Sequence, residues 1–425
     1  MTTAALLTSS KAAKRKASGT SKASPLTMEM IDRWADDPKG PVALHLRQKL
    51  LSIEGPDGIV FPPTYAFDGK EPAGRKDKES TKYQIDTLSD GTKVAQLDSV
   101  GSQANRMEPL FKTAKDGLPK NPLAALVPQV DIDLGNGKVV SLLDAGHRLG
   151  DAIVRASRLQ EQARLAFAAL RERGDATRIA KLAPTSLVFG AWNSRGDQAK
   201  AARIVQAVVR AWDVEPLRRS AQYNPPVDYL SFDIFTEEQK KKAEGNSKSP
   251  IAQRGFVHVP SVADDGGVVV RGGIYRDVTI NLIALRQLDG QNGVALRRYI
   301  LGLAMVVAVE PLDGFLRQGC LLTLDPNAPE PAWTEVQRTG QRMSVDLTPA
   351  TALAYAQRAA RAFSVGEGGT YAFSKELAKE DADGSKNKPP APRSVAPTET
   401  PVVRTTRPGS AGSRRRKFTG TRGRR

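Results

Sequence analysis

An α+β or α/β body around one sheet, set between two basic tails, is the fold the sequence predicts. Three observations carry this. Strand-length apolar segments alternate with segments of helical period, several connections between them are short, and cationic charge collects near both ends of the sequence. The 425 residues are 40% hydrophobic and carry a net charge of +17. Lys11, Lys14, Arg15, Lys16 and Lys22 lie in a stretch without acids, as do the arginines and lysine between Arg404 and Arg425. Together these two stretches hold 14 positive charges, so the middle of the chain is nearly balanced. Rich in Ser, Thr, Gly and Ala, they cannot offset the entropy of ordering. Disordered tails are therefore expected over 1–26 and 367–425, around a body at 27–366.

The elements follow in order. Gly146–Leu170 predicts a helix, with Leu149, Ile153, Ala156, Ala163, Phe167 and Leu170 at helical spacing and Arg148, Arg155 and Arg158 on a solvated side. Ser186–Gly190 reads as a buried strand. Asp197–Trp212 predicts a second helix, with Asp197 as N-cap and Ala201, Ile204, Val205, Val208 and Trp212 as its apolar stripe. Lys200, Arg203 and Arg210 fall on its opposite side. Val268–Val270 and Cys320–Leu324 read as strands, Val294–Val309 and Pro349–Phe363 as helices. Polar loops or insertions are expected at 66–92 and 236–256, and a Pro-rich loop at 325–333. The longest apolar run, Ile300–Val309, is far shorter than the roughly 20 residues that cross a bilayer, and Ala4–Leu7 is too short for a signal peptide. With Cys320 the sole cysteine, no intrachain disulfide forms, and a reducing, cytoplasmic setting is expected.

Catalytic patterns are missing. His45, His147 and His258 are far apart, so no Cys/His zinc spacing exists. Phosphate-loop, dinucleotide and nucleophile-elbow motifs do not occur. Asp131-Ile132-Asp133 alternates with apolar neighbours and reads as an exposed strand face rather than a metal pair. His147 reads as a capping or packing residue rather than a base. No catalytic residue, metal or cofactor is expected.

Nucleic-acid chemistry, by contrast, is concentrated in four clusters. In Asp98–Glu108, small residues allow close backbone approach, Gln103 and Asn105 can bond a sugar or base edge, and Arg106 can clamp a phosphate. Trp192–Gly196 sets an aromatic and Arg195 before the expected helix, an anion-binding arrangement. Arg218-Arg219-Ser220-Ala221-Gln222-Tyr223 pairs arginines with a stacking ring, and Gly266–Arg276 holds Arg271, Tyr275 and Arg276 beside glycines. The candidate RNA contacts are Gln103, Asn105, Arg106, Arg195, Arg218, Arg219, Gln222, Arg271 and Arg276. The basic tails add attraction for polyanions through counterion release.

The strings Asp98–Pro109, Pro184–Trp192, Arg218–Tyr229, Gly267–Arg286 and Leu296–Leu303 carry a resemblance. Over roughly residues 40–365, the chain resembles the backbone subunit of the type I-U (or I-G) CRISPR Cascade complex, a RAMP-superfamily ribonucleoprotein component of antiviral defence. The resemblance implies a RAMP palm, an RRM-like (ferredoxin-like) core with inserted finger and thumb elements. It implies a non-catalytic subunit whose copies assemble head to tail along one CRISPR RNA and present its bases to target DNA. Sequence reading is then delegated to base pairing. Implied partners are the large subunit, the guide-processing subunit and a helicase-nuclease recruited after target binding. Related type III subunits cut RNA with an aspartate; Asp98, Asp228 and Asp277 lie in or near the matching strings, but a type I assignment argues against cutting. Two other readings remain: a general single-stranded RNA-binding structural protein such as a nucleoprotein, and a metal-dependent ribonuclease.

Overall fold

The computed structural model describes residues 26–64, 81–114, 120–196, 198–246, 248–311 and 313–383. Most of the two basic tails and the charge-dense stretch 65–80 lie outside the described residues.

The architecture is α+β. In its main sheet, Cys320–Leu324 lies beside Ala43–Ser52, followed by Ile274–Asn281, Val205–Trp212 and Lys93–Asp98, with every neighbouring pair antiparallel. Trp333–Val336 pairs with the other end of Ala43–Ser52. Helical segments intervene between the first two central strands in the chain, and Gly293–Val309 follows the third. Counting Ala43–Ser52, Val205–Trp212, Ile274–Asn281 and Cys320–Leu324 as the first to fourth central strands, with Lys93–Asp98 added beyond the second, the order is fourth, first, third, second: the ferredoxin-like βαββαβ plan of an RRM-like palm.

Alternation decides which side of each strand is buried. Leu44, Leu46 and Leu50 point into the core, whereas Arg47 and Lys49 are exposed on the other side. Ile274, Arg276, Val278 and Ile280 are buried; Tyr275, Asp277 and Thr279 are half-buried opposite them. The long core helix Gly293–Val309 packs on Pro349–Phe363, and Gly302 permits the close approach: a Cβ there would lie 2.8 Å from the Ala356 Cα. Tyr299 stacks on Phe363 and donates its hydroxyl proton to the Leu126 carbonyl at 2.8 Å. Both helices, and the strands at 268–270 and 320–324, lie where the sequence placed them.

Several expectations are corrected. Val205–Trp212 is a strand, and the Asp197 cap position lies outside the described residues. Val205, Ala207, Val209 and Ala211 are buried, so the period is two, as suits a segment rich in valine. Ser186–Gly190 is entered by a short buried helix, Thr185–Val188; so short an apolar run does not distinguish helix from strand. The Gly146–Leu170 segment is broken into a turn at Arg148–Gly150 and helices Ala152–Arg155 and Gln160–Arg173, with Arg148 at φ +54°. Arg148 is buried, not solvated. Ile85–Thr87, inside the expected 66–92 insertion, is an edge strand paired with Lys93–Ala95. The chain beyond 366 does not begin a tail at once. Gly369–Ala372 pairs in parallel with Val130–Asp133, and Lys375–Asp383 is a helix held by an Arg155–Asp381 ion pair of 3.0 Å. Asp131 and Asp133 do line a half-open strand, as expected.

Between the second and third central strands the chain runs out into an arm. Val214–Tyr223 pairs with Val259–Val270 in a separate two-stranded ladder. At its base the chain turns through Asp213 (φ +51°) on one strand and Gly273 (φ +91°) on the other. Gly272 is pressed on the neighbouring strand, where a Cβ would lie 2.8 Å from the Trp212 carbonyl oxygen. The expected 236–256 loop is the far end of this arm and is structured. Glu237–Ala243 is a helix with a Thr236/Gln239 capping box, and Phe235, Ala243, Ala252 and Val257 form a small core of their own, against which Tyr229 and Phe256 pack edge to face.

Candidate nucleic-acid interface

The open side of the palm sheet is assembled by register. Lys49, Tyr275 and Arg210 lie directly across from one another on three adjacent strands, with Gln96 opposite Arg210 on the next. One step along, Arg47 faces Asp277, and its guanidinium carbon sits 4.2 Å from the centre of the Tyr275 ring. An aromatic ring is therefore surrounded by Arg47, Lys49 and Arg210. Lys49 is held by Asp325 at 3.0 Å and Arg47 lies 3.9 Å from Asp277, yet both cations keep about half of their side-chain surface, 43% and 50%. Exposed pairs of this kind exchange cheaply for a phosphate.

His45 closes one end of this face. Its Nε2 lies 3.4 Å from the Asp277 carboxylate and its Nδ1 3.3 Å from an Arg342 nitrogen. Arginine only donates, so Nδ1 is the acceptor and Nε2 carries the hydrogen. Burial, and then the nearby Arg342 and Arg47 charges, push the imidazole pKa below its usual value, with Asp277 opposing. The ring is a neutral spacer here, with both nitrogens engaged.

On the core side of the same sheet, the cations have a different use. Asp98, 1% exposed, accepts hydrogen bonds from the Ser102 hydroxyl (2.7 Å), the Gln103 amide (2.6 Å) and Arg106 Nε (3.0 Å), and Arg317 lies at 3.4 Å. Gln103 in turn accepts from Arg276 Nε at 3.0 Å, and Arg276 donates to Gln48 at 2.9 Å. Arg106 also donates to the Phe315 and Leu316 carbonyls, and Arg317 to those of Phe61 and Leu97. The cluster fastens the 315–317 strand to the palm. Burial pushes the Arg276 guanidinium down to about 10, with Asp98 opposing. A second buried pair lies nearby. Arg148 Nε is 2.7 Å from Glu108, and burial pushes that carboxyl up to about 7 although Arg148 pulls it back.

The expected contact residues therefore separate into two groups. Gln103 and Arg276 are corrections: both are buried and bonded to each other, out of reach of a ligand in solvent. Arg106 is tied to Asp98 and to two carbonyls. Asn105, beside Arg106 on the same helix, Val100–Met107, is exposed, and Arg195 is exposed on a hairpin loop rather than before a helix. Arg218, Arg219, Gln222 and Arg271 are exposed on the arm. There Arg218 reaches Asp265 at 3.3 Å, Arg271 reaches Glu215 at 2.9 Å, Arg219 lies 5.6 Å from the Phe61 ring centre, and Gln222 donates to Asn224 at 3.4 Å. Toward the far end, Tyr223, Val227, Phe232 and Ile234 are exposed apolar side chains, Phe232 at 66%.

The sequence reading missed Arg47, Lys49, Arg210 and Tyr275 as a group. The signal was available: His45-x-Arg47-x-Lys49 interleaves Leu44, Leu46 and Leu50, a polar stripe at period two. Tyr275 stands one residue from Arg276, on the opposite face of the strand.

Among the described residues no helix is long and apolar enough to cross a membrane. Residues 44–216 match the family model of CRISPR-associated protein GSU0053, a stretch that runs from the first palm strand into the arm. That part of the chain is thus similar to a CRISPR-associated family. No curated protein matches the sequence.

Proposed function

We propose that this chain is a non-catalytic, CRISPR RNA-binding backbone subunit of a type I-U/I-G Cascade complex, acting in antiviral defence. The observation that carries the reading is the open sheet face, where Tyr275 lies among Arg47, Lys49 and Arg210. Stacking with cation contact holds single strands without choosing their sequence, which is what a subunit serving every guide requires. The ferredoxin-like palm, the arm and the similarity of residues 44–216 to a CRISPR-associated family support the same reading. In it, the arm is the thumb, and successive copies join by a heterologous surface that does not close into a ring. The large subunit, the guide-processing subunit, target DNA held through the guide and a recruited helicase-nuclease are the remaining partners.

The test is to sequence the RNA that co-purifies with the chain in cells carrying a CRISPR array. Spacer-containing RNAs with a common repeat-derived end are the expected result. Heterogeneous cellular RNA would replace the proposal with a general single-strand binder of nucleoprotein type. Guide-dependent cleavage lost on substituting Asp98, Asp228 or Asp277 would replace it with a metal-dependent ribonuclease.

A further inference from the structure

Trp192 lies apart from the sheet face and the arm. It is 51% exposed, while Ala191, Asn193 and Ala199 around it are buried. The surrounding hairpin is tightly made. Trp192 pairs with Lys200 across the ladder, the Asn193 amide donates to Ala199 at 2.9 Å, and the Gln198 amide donates to Asn193 at 3.1 Å. Its backbone is pressed on the body at Gly150, where a Cβ would lie 2.8 Å from the Trp192 carbonyl oxygen. The indole is thus presented on a rigid base. Lys200 Nζ sits 4.4 Å from the ring centre and covers one face. In sequence, residues 191–203 carry three cations, Arg195, Lys200 and Arg203, and one carboxylate, and Asp151 follows Gly150.

We propose that the Trp192 hairpin is a base-stacking site for single-stranded nucleic acid. One unpaired base lies on the open indole face, with the flanking phosphate on Lys200 and Arg195. A large aromatic surface in solvent calls for a flat apolar ligand, and the surrounding cations call for one that carries an anion beside it. A nucleotide in a single strand meets both demands, whereas a purely apolar partner would have to bury Lys200 and Arg195. Because the hairpin is held before the ligand arrives, little ordering opposes binding. The inference rests on the nucleic-acid reading above and adds a contact outside the palm face.

The experiment titrates the full chain with an unstructured 30-residue RNA and follows tryptophan emission, with Trp192→Phe and Trp192→Ala alongside. Trp34 and Trp333 are buried, whereas Trp212 is half-buried on the open sheet face, so the share of quenching that belongs to Trp192 is read as the difference between the unsubstituted protein and Trp192→Phe. The expected result is strong quenching in the unsubstituted protein and clearly less in Trp192→Phe, where Trp212 remains, while affinity stays within about threefold because a ring remains. Trp192→Ala should bind about five- to fiftyfold more weakly with an unchanged salt slope, since no charge is removed. Equal affinity of Trp192→Ala and the unsubstituted protein overturns the stacking site and leaves the backbone-subunit reading intact. Failure of the unsubstituted protein to bind RNA overturns both.

Discussion

The two faces of the palm sheet use the same residue types to opposite ends. On the core face, Arg276, Arg106 and Arg317 gather around Asp98 and Gln103, and Arg148 faces Glu108. On the open face, Arg47, Lys49 and Arg210 surround Tyr275 and keep contact with solvent. The buried arginines join segments that are distant in sequence; the open ones are placed for exchange with an anion. The comparison teaches that an arginine count predicts neither role. For the strand residues Arg276, Arg47 and Arg210, strand parity does, because neighbours in an extended chain point to opposite faces.

The sharpest way to break the comparison is Asp98→Ala. It strips Arg106 and Arg317 of a carboxylate and leaves the buried Gln103 amide without an acceptor, at an expected cost of about 2–4 kcal/mol in urea unfolding. A loss below about 0.5 kcal/mol, with RNA binding abolished, would move this cluster from the framework to the ligand side.

Glu108 gives a smaller effect with a definite sign. Its carboxyl is raised by burial from the ordinary 4.5 to about 7, so the folded chain prefers the neutral form. The stabilisation is therefore complete below pH 4.5 and is lost as pH rises through 7. Glu108→Gln should flatten this dependence, by on the order of 1–3 kcal/mol over that window, read from urea midpoints across pH. Identical pH profiles for the two proteins would show that Glu108 stays ionised against Arg148.

The smallest effects on stability belong to the open face. Tyr275→Ala and Arg47→Ala should each change folding free energy by less than about 1 kcal/mol while weakening RNA binding about five- to fiftyfold. Their salt dependence separates them. Arg47→Ala should lower the slope by about one and Tyr275→Ala should leave it unchanged. Equal slopes for both variants would mean that Arg47 meets no phosphate.

Much of the fold was legible where a segment met only one pattern. The apolar helix Gly293–Val309 and the Pro-initiated helix Pro349–Phe363 are unambiguous. Val205–Trp212 satisfied two patterns, because Val208, buried though on the open side, completes a false helical stripe with Ile204, Val205 and Trp212. The arm's far end was hidden by its polarity. Its core is made by Phe235, Ala243, Ala252 and Val257, which are too few and too scattered to give a period. Composition singles out Asn105, Arg195, Arg218, Arg219, Gln222 and Arg271, which the structure leaves exposed but spreads over a helix, a hairpin loop and the arm rather than on the open sheet face. The distinction between Tyr275 and Arg276 needed the sheet, since only tertiary packing decides which side of a strand faces the helices.

The arm also behaves as a measuring rod. Ten residues in Val214–Tyr223, at about 3.3 Å each, carry the small core at its end roughly 30 Å along the ladder. Because the side-chain period is two, the rod has discrete settings. Lengthening both strands by two residues would extend its reach by about 6.6 Å and keep every side chain on its present face, whereas lengthening them by one would turn Arg218, Arg219 and Tyr223 over together. The opposite strand already absorbs odd steps, its register shifting between Ser261 and Asp264 and between Asp265 and Val268, so even steps are expected in Val214–Tyr223 and odd ones only as bulges in its partner.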